Sequence, residues 1–257
     1  MPGNESELIK FIFNKKNNLS FNHIGKINSI KIPRGKELIE VTSEEEIEGF
    51  SSSDSSKKAD VYLNDIGVSV KQEGGKLFNK LYRKDLMFLN YFTNDDSITM
   101  SIIKNLEKKL KYIHNKNLKR DVYWKDIIEE KYFRKLLEYL MMKGKPYKLN
   151  NYPAKYILIN KDFIAESGIS VFNFNEYFKK YTNKIYFSYR RCWVGTTSSE
   201  HKRAMNICFD HKNSDNWCFK TITGEPRNRN DEKPKWRKDI PINERRTAYY
   251  LDITGKK

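Results

Sequence analysis

The chain has 257 residues, enough for one large domain or a domain with a smaller lobe, and carries a formal net charge of +16. The excess of Lys and Arg, together with 14% aromatic residues, favours an anionic polymer or surface as partner. The sequence contains no run of eighteen apolar residues that would indicate a membrane span. The P-loop, GxSxG, HExxH and EF-hand motifs are absent, which argues against the enzymes and calcium sites that depend on them.

The N-terminal segment and the cysteines bear on the cellular compartment. The first ten residues lack the basic and apolar regions of a signal peptide, so we expect a soluble, cytoplasmic protein. Cys192, Cys208 and Cys218 are odd in number and form no CxxC pair, which argues against a disulfide framework. Together with His201 or His211 they match none of the usual zinc-module spacings, so we expect them to be packing residues.

In chain order, the first predicted element is a helix that Asn4 caps. Glu5 and Glu7 occupy its first turn, where the helix dipole stabilises carboxylates. Glu5 lies one turn ahead of the first apolar pair and so could face inward, but a role at the helix start accounts for both glutamates more simply. Residues 19–50 predict loops and short strands that include an acidic, solvated run.

Residues 59–73 predict a β-hairpin on which charged side chains lie among apolar ones. An apolar strand with one carboxylate, Asp60, is followed by turn residues of the kind found in tight hairpins. The returning strand alternates, so that Ser69, Lys71 and Glu73 share a face. The expected register brings Lys71 close to Asp60.

This hairpin resembles the site of the PD-(D/E)XK nuclease superfamily, and within it the type II restriction endonucleases. The match is Asp60, a short turn, and then Ser69-Val70-Lys71 in place of the (D/E)-X-K triplet, over about twenty-five residues. The resemblance implies that Asp60 holds Mg²⁺ against a scissile phosphate of double-stranded DNA and that Lys71 orients or deprotonates the attacking water. It also implies a homodimer and a cognate DNA methyltransferase that protects the host sequence.

The sequence departs from the family pattern at two positions. Ala59 replaces the usual proline before Asp60, and Ser69 stands where a second metal-binding carboxylate is usual. Ser69 would then be a weak ligand or a hydrogen-bonding group beside the metal. Spacing does not choose among the candidates for the second carboxylate, which are Glu73, Asp54, Glu48 and a glutamate of the first helix such as Glu5.

A simpler interpretation of the hairpin also stands. Asp60 and Lys71 could form an ordinary cross-strand ion pair at the surface, worth at most about 1 kcal/mol. The charge distribution favours the nuclease interpretation, because residues 1–60 contain nine Lys/Arg and ten Asp/Glu. All the positive excess therefore follows Asp60, as expected if an acidic metal-binding layer is flanked by a basic DNA-holding surface.

The rest of the chain predicts helices around a sheet and then a β-rich region. The predicted helices are a segment that starts at Lys76–Lys84, then Ser97–Asn115, Trp124–Met142 and Phe172–Tyr181, with a buried strand at Tyr156–Asn160. From Lys184 the predicted strands are 185–193, 204–209 and 217–222, joined by polar loops. We expect one α/β domain (α+β mixed) with a central mixed β-sheet flanked by helices, in which residues 1–183 form the catalytic core.

Residues 184–257 form the predicted DNA-recognition region, with 17 Lys/Arg against nine Asp/Glu. Arg, Lys and Asn on strands and loops can pair with purine edges in the major groove, although phosphate contacts outnumber base contacts. The candidate DNA-binding residues are Gln72, Lys76, Arg190, Arg191, Lys202, Arg203, Arg227 and Arg229. The tail 226–246 is rich in Pro, Arg and Asn, and we expect part of it to order only on DNA.

The predicted function is Mg²⁺-dependent, sequence-specific cleavage of double-stranded DNA. Two alternatives remain open at this point. One is a nucleic-acid-binding protein without catalysis, in which the hairpin is structural, and the other is an RNA-processing nuclease with the same site.

Overall fold

A computed structural model describes residues 4–48, 57–144, 152–161, 168–197, 200–209, 217–222, 224 and 235–256. The helices are α1 Asn4–Lys15, α2 Glu45–Glu48, α3 Asn90–Thr93, α4 Asp96–Lys116, α5 Glu130–Glu138, α6 Phe174–Tyr181 and α7 His201–Phe209. The strands are β1 Ser20–Phe21, β2 Gly25–Lys26, β3 Ile30–Arg34, β4 Glu37–Glu40, β5 Val61–Leu63, β6 Ile66–Gln72, β7 Lys76–Leu81, β8 Asp121–Tyr123, β9 Tyr156–Asn160, β10 Ile169–Phe172, β11 Ile185–Val194, β12 Cys218–Lys220 and β13 Arg246–Gly255.

These elements form a mixed α/β architecture, as the sequence predicts. The chain divides into two compact units, each built from separate stretches of sequence. Unit 1 comprises residues 1–78, 129–185 and 254–257, and unit 2 comprises 79–128 and 186–253. The predicted arrangement of one domain with a division after residue 183 stays a prediction. Within the described residues, no helix is long and apolar enough to cross a membrane.

Unit 1 contains a mixed six-stranded sheet in the order β10-β9-β6-β5-β3-β4. Strand β6 lies near its centre, antiparallel to β5 and parallel to β9. Both faces of such a strand are covered, so its residues from Gly67 to Val70 are buried in succession rather than alternately. The predicted buried strand at Tyr156–Asn160 is confirmed as β9.

The core of unit 1 joins α1 to this sheet. Leu8, Ile9 and Ile12 form the apolar stripe of the helix and are almost completely buried. They belong to one cluster with Val61 and Val68 of the hairpin. The burial of this stripe fixes the rotation of α1 about its axis, and with it the direction in which the first turn faces.

Unit 2 is built mainly on a sheet in the order β12-β13-β11-β8, in which β7 also pairs with β13. The long strand β13 is buried along nearly its whole length. Helix α4 packs through a stripe that includes Ile103, Leu106 and Leu110, as its periodicity predicts. The predicted strand at 185–193 is confirmed as β11.

Several predicted elements are wrong, and each error has a physical reason. Lys76–Leu81 is strand β7 rather than the start of a helix, because Leu77 and Leu81 have helical spacing but the backbone pairs with β13. Residues 204–209 belong to helix α7 rather than to a strand, since a short apolar run fits either element. The central strand β13 was not predicted.

Two further corrections concern boundaries. The helix predicted over Trp124–Met142 is interrupted: a short 3₁₀ turn precedes α5, and a π-helical turn at Tyr139–Lys143 follows it. The helix predicted from Phe172 begins at Phe174, after β10. Residues 226–234 of the predicted tail 226–246 lie outside the described residues, and residues 235–246 are described.

The cysteine prediction is also wrong. Cys208 and Cys218 form a disulfide, with their Cα atoms 5.3 Å apart. Helix α7 carries the first and β12 the second, so the bond depends on a tertiary contact that the spacing of the cysteines does not reveal. Cys192 is free and buried, as a packing residue should be.

Candidate active site

The candidate active site begins with the turn between β5 and β6. Asn64 and Asp65 both have positive φ, 50° and 63°, as the two central residues of a type I′ hairpin turn require. The turn sets the register Val61↔Val68, and Asp60 N–H then donates to the Val68 carbonyl at 2.9 Å. The predicted hairpin and its register are confirmed.

The Asp60 carboxylate is held through one of its oxygens. Oδ2 accepts hydrogen bonds from Val70 N–H at 2.7 Å and from the Ser69 hydroxyl at 3.4 Å, and lies 3.6 Å from Lys71 Nζ. Oδ1 makes no hydrogen bond within the described part of the chain. The arrangement fixes the carboxylate and leaves one oxygen for another ligand.

Lys71 lies beside this carboxylate on the same strand face as Ser69. Its Nζ also donates to the Val70 carbonyl at 2.9 Å, and the Asp60 and Lys71 side chains are each 16% exposed. A pair this enclosed carries a larger desolvation cost than a surface ion pair. The geometry therefore differs from the exposed cross-strand pair of the simpler interpretation.

Glu5 is the second carboxylate near the pair. Partial burial raises the pKa of Glu5 above its ordinary value of 4.5, the charge on Asp60 raises it further, and Lys71 opposes both effects. Such coupling requires the three groups to be neighbours, so α1 directs its first turn toward the hairpin. The inward orientation of Glu5, which the sequence left open, is found in the structure.

The other candidate ligands are less central. Strand β6 ends at Gln72, and Glu73 lies in the turn that follows, where it contributes to raising the pKa of the largely buried Tyr181. Gln72 and Glu73 line a small cleft in unit 1, together with Leu77, Tyr177, Tyr181 and Lys184. Lys76 is exposed at the start of β7. Asp54 and the side chain of Glu48 lie outside the described residues.

The carboxylates of the site fit Mg²⁺ better than they fit a metal ion whose ligands all come from the protein. Among the described residues, no group of three or more His, Cys, Asp or Glu side chains could hold a metal. Mg²⁺ usually binds through one or two carboxylates, with water and substrate phosphate completing its shell. Asp60, through its free Oδ1, and Glu5 match that donor set.

Unit 2 carries the other predicted DNA-binding residues in different environments. Arg190 pairs with the fully buried Asp252 at 2.9 Å, and Arg203 pairs with Glu200 at 2.7 Å. Lys202 is exposed on α7. Arg227 and Arg229 lie outside the described residues.

Arg191 and Arg120 are neighbouring cations of unit 2. Arg191 donates to Asn117 Oδ1 at 3.3 Å and stacks on Trp193. Arg120, which sequence reasoning missed, is half-buried just before β8, and its neighbouring charges include Arg191. The only sequence signal for Arg120 is its place in a basic segment after α4, which does not reveal its neighbours.

Comparison with known proteins adds one weak likeness. No protein-family model matches the chain, and no curated protein sequence matches it. The solved structure of HhaI endonuclease in complex with DNA is similar over 98% of this chain and 86% of that chain, with 11% sequence identity and a TM-score of 0.37. The two proteins share too little sequence and structure for the function of one to be inferred from the other.

Proposed function

We propose that the protein is a Mg²⁺-dependent endonuclease that hydrolyses phosphodiester bonds in double-stranded DNA at a specific short sequence. The observation that carries the proposal is the enclosed Asp60–Lys71 pair, 3.6 Å apart across the β5–β6 hairpin, whose two charges both act on the pKa of Glu5. Two carboxylates and a lysine that share one partly enclosed site have a clear use in phosphodiester hydrolysis.

Each residue would have a distinct role. Asp60 and Glu5 would hold Mg²⁺, which when bound supplies positive charge to a scissile phosphate. Lys71 would orient the attacking water by hydrogen bonding, as its position beside Asp60 permits. Ser69 donates to Asp60 Oδ2, and this supports a positioning role for the hydroxyl rather than a role as a ligand.

The finer parts of the proposal rest on the resemblance of the hairpin to type II restriction endonucleases. These parts are sequence specificity, a homodimer that reads a palindrome, and a methyltransferase that protects the host DNA. The net charge of +16 supports DNA as the partner, because a basic protein gains affinity by releasing the counterions of the duplex.

The main rival is a nucleic-acid-binding protein without catalysis. It needs only the basic charge of the chain, which is +16 overall, and no metal site. In that case the Asp60–Lys71 pair would only stabilise the hairpin.

The test uses purified protein with unmethylated phage or plasmid DNA, in Mg²⁺ and in EDTA. Asp60→Asn and Lys71→Met remove one charge each, and we expect discrete Mg²⁺-dependent fragments that both variants lose by roughly 100-fold or more. Asp65→Asn and Lys31→Met are matched controls, because Lys31 on β3 and Asp65 in the β5–β6 turn form an ion pair that is more exposed than the Asp60–Lys71 pair. The controls should cleave like the wild type.

Each other outcome has a defined meaning. Cleavage that survives in Asp60→Asn and Lys71→Met within a few-fold would place the chemistry elsewhere. DNA that binds but stays intact would favour the binding protein, and preferential cleavage of RNA would favour the RNA-processing nuclease. Circular dichroism of each variant checks that a loss of activity does not reflect unfolding.

A further inference from the structure

Arg120 and Arg191 lie on one face of the unit 2 sheet. The β11·β8 register pairs Ser188 with Asp121, and the next position brings Tyr189 opposite Arg120, where Tyr189 N–H donates to the Arg120 carbonyl at 2.8 Å. Directly opposed residues of an antiparallel pair share a face, and so does the residue two positions along. Arg191 is therefore a diagonal neighbour of Arg120.

The partners of Arg191 are all uncharged. Nη1 donates to Asn117 Oδ1 at 3.3 Å, and the guanidinium lies 5.2 Å from the centre of the Trp193 ring. Its Nε is buried and makes no hydrogen bond to any described residue. These contacts hold the plane of the guanidinium and leave its charge uncompensated.

Arg120, like Arg191, has no carboxylate partner among the described residues. Burial lowers its pKa, and the charges of Arg191 and Arg190 lower it further, in that order. Within the described residues, no carboxylate lies at ion-pair distance from Arg120 or Arg191. Asp121 follows Arg120 in the chain and its charge raises the pKa of Arg120, but its side chain lies on the opposite face, where it accepts a hydrogen bond from Ser188.

Arg190 shows the contrasting arrangement on the same strand. Its side chain points to the opposite face and pairs with Asp252, whose side chain is fully buried. Within the described part of the chain, one guanidinium of β11 therefore pairs with a carboxylate, and the next one, beside Arg120, does not. Two half-buried like charges destabilise a folded protein unless an anion joins them.

We propose that Arg120 and Arg191 form a clamp that binds one phosphate of the DNA duplex backbone. Guanidinium groups bind phosphate oxygens with two parallel N–H···O bonds, and two neighbouring groups on one sheet face match one phosphate better than a base edge. The choice of duplex DNA as the source of the phosphate rests on the proposed function. Binding of a phosphate group itself does not depend on it.

The first test measures the binding of a labelled duplex in EDTA across a range of salt concentrations. Arg120→Gln and Arg191→Gln should each lower affinity by about 10-fold and reduce the slope of log K against log salt by about 1. The double variant should lose no more slope than either single variant, because both residues contact one phosphate. Lys108→Gln, which removes an exposed charge from α4, is the control for general charge loss.

A second measurement separates a binding role from a structural one. Arg120→Gln and Arg191→Gln should unfold at the same temperature as the wild type or higher at low salt, since each relieves repulsion. Arg190→Gln should unfold at a lower temperature, because it leaves Asp252 buried without its cation. A clear loss of stability in the two clamp variants would instead indicate that the arginines hold the fold.

Inorganic phosphate distinguishes failure of the clamp from failure of the proposed function. At equal ionic strength, phosphate should raise the unfolding temperature of the wild type more than chloride does, and should not do so in the clamp variants. If the wild type binds no duplex but shows this effect, the proposed function fails and the clamp stands. If phosphate acts equally on all variants, and DNA affinity falls no further than in Lys108→Gln, the clamp is overturned.

Discussion

Glu5 illustrates how one residue can have opposite effects on stability and on function. At the start of a helix an ionised glutamate is favourable, because it faces the positive end of the helix dipole. In the structure, burial and the charge of Asp60 raise the pKa of Glu5, against the opposing charge of Lys71. A carboxylate kept at some cost to the fold is expected where a cation binds.

The raised pKa of Glu5 predicts a pH dependence of stability. In the folded protein Glu5 keeps its proton to a higher pH than in the unfolded chain, so the free energy of unfolding falls as the pH rises from 4.5 through the raised pKa. Glu5→Gln cannot ionise, so the free energy of unfolding of this variant does not fall for this reason as the pH rises. The variant should be more stable than the wild type at pH 7, with a difference that shrinks toward pH 4, in urea unfolding followed by circular dichroism.

Mg²⁺ supplies the complementary measurement for Glu5. If Glu5 and Asp60 bind the ion, Mg²⁺ should stabilise the wild type and should stabilise Glu5→Gln less, because a bound ligand raises the free energy of unfolding. The cleavage activity of the variant should fall. A variant that is less stable than the wild type by the same margin at pH 4 and pH 7 would contradict the electrostatic account.

At the scale of elements, strand β6 depends on a close approach at Gly67. A Cβ atom at this position would collide with the Pro153 carbonyl oxygen, just before β9, and would lie 3.2 Å from the Ala59 Cβ. Because these neighbours include backbone, they cannot move without disturbing the pairing of the sheet. The strand that carries Ser69 and Lys71 can therefore pack this closely against the Pro153 segment only because residue 67 has no side chain.

Gly67→Ala should lower the free energy of unfolding by about 1–3 kcal/mol, as expected for overpacking of a buried position. Gly224→Ala is the control, because a Cβ there meets nothing within 4 Å and the backbone needs no positive φ. Its effect should stay within about 0.5 kcal/mol. Equal effects of the two substitutions in chemical unfolding would show that β6 and the Pro153 segment are not in close contact.

The same scale explains which elements the sequence could predict. Helix α4 has a long apolar periodicity and an Asp95 cap, so its identity is encoded in nearby residues. Strand β7 and helix α7 are short, and their apolar spacing fits either type of element. For them, pairing with β13 or packing around Ala204 decides the outcome.

At the scale of the whole molecule, the cysteines give a direct test of the tertiary arrangement. Cys192 is fully buried, and burial raises the pKa of its thiol to about 12, so it should not react in the folded protein. Cys208 and Cys218 are joined. A thiol reagent should therefore detect no thiol in the native protein, one after denaturation without reductant, and three after denaturation and reduction. Three thiols without reductant would exclude the disulfide.

The sequence by itself determined the local parts of the candidate site. The turn residues Asn64 and Asp65, with the alternation that follows them, place Asp60 beside Lys71, because a two-residue turn allows one register. The apolar periodicity of α4 and the overall basic charge could also be recognised from the sequence alone. These features depend on residues within a few positions of one another, where spacing determines which side chains meet.

Only the tertiary structure decided the rest. It brought Glu5 to the hairpin, paired β9 with β6, made β13 the partner of both β12 and β7, and set Arg120 beside Arg191. Each of these contacts joins segments far apart in the chain, and many alternative pairings satisfy the same local patterns. The burial of whole faces selects among them, because the favourable free energy of burial depends on how all the elements pack together.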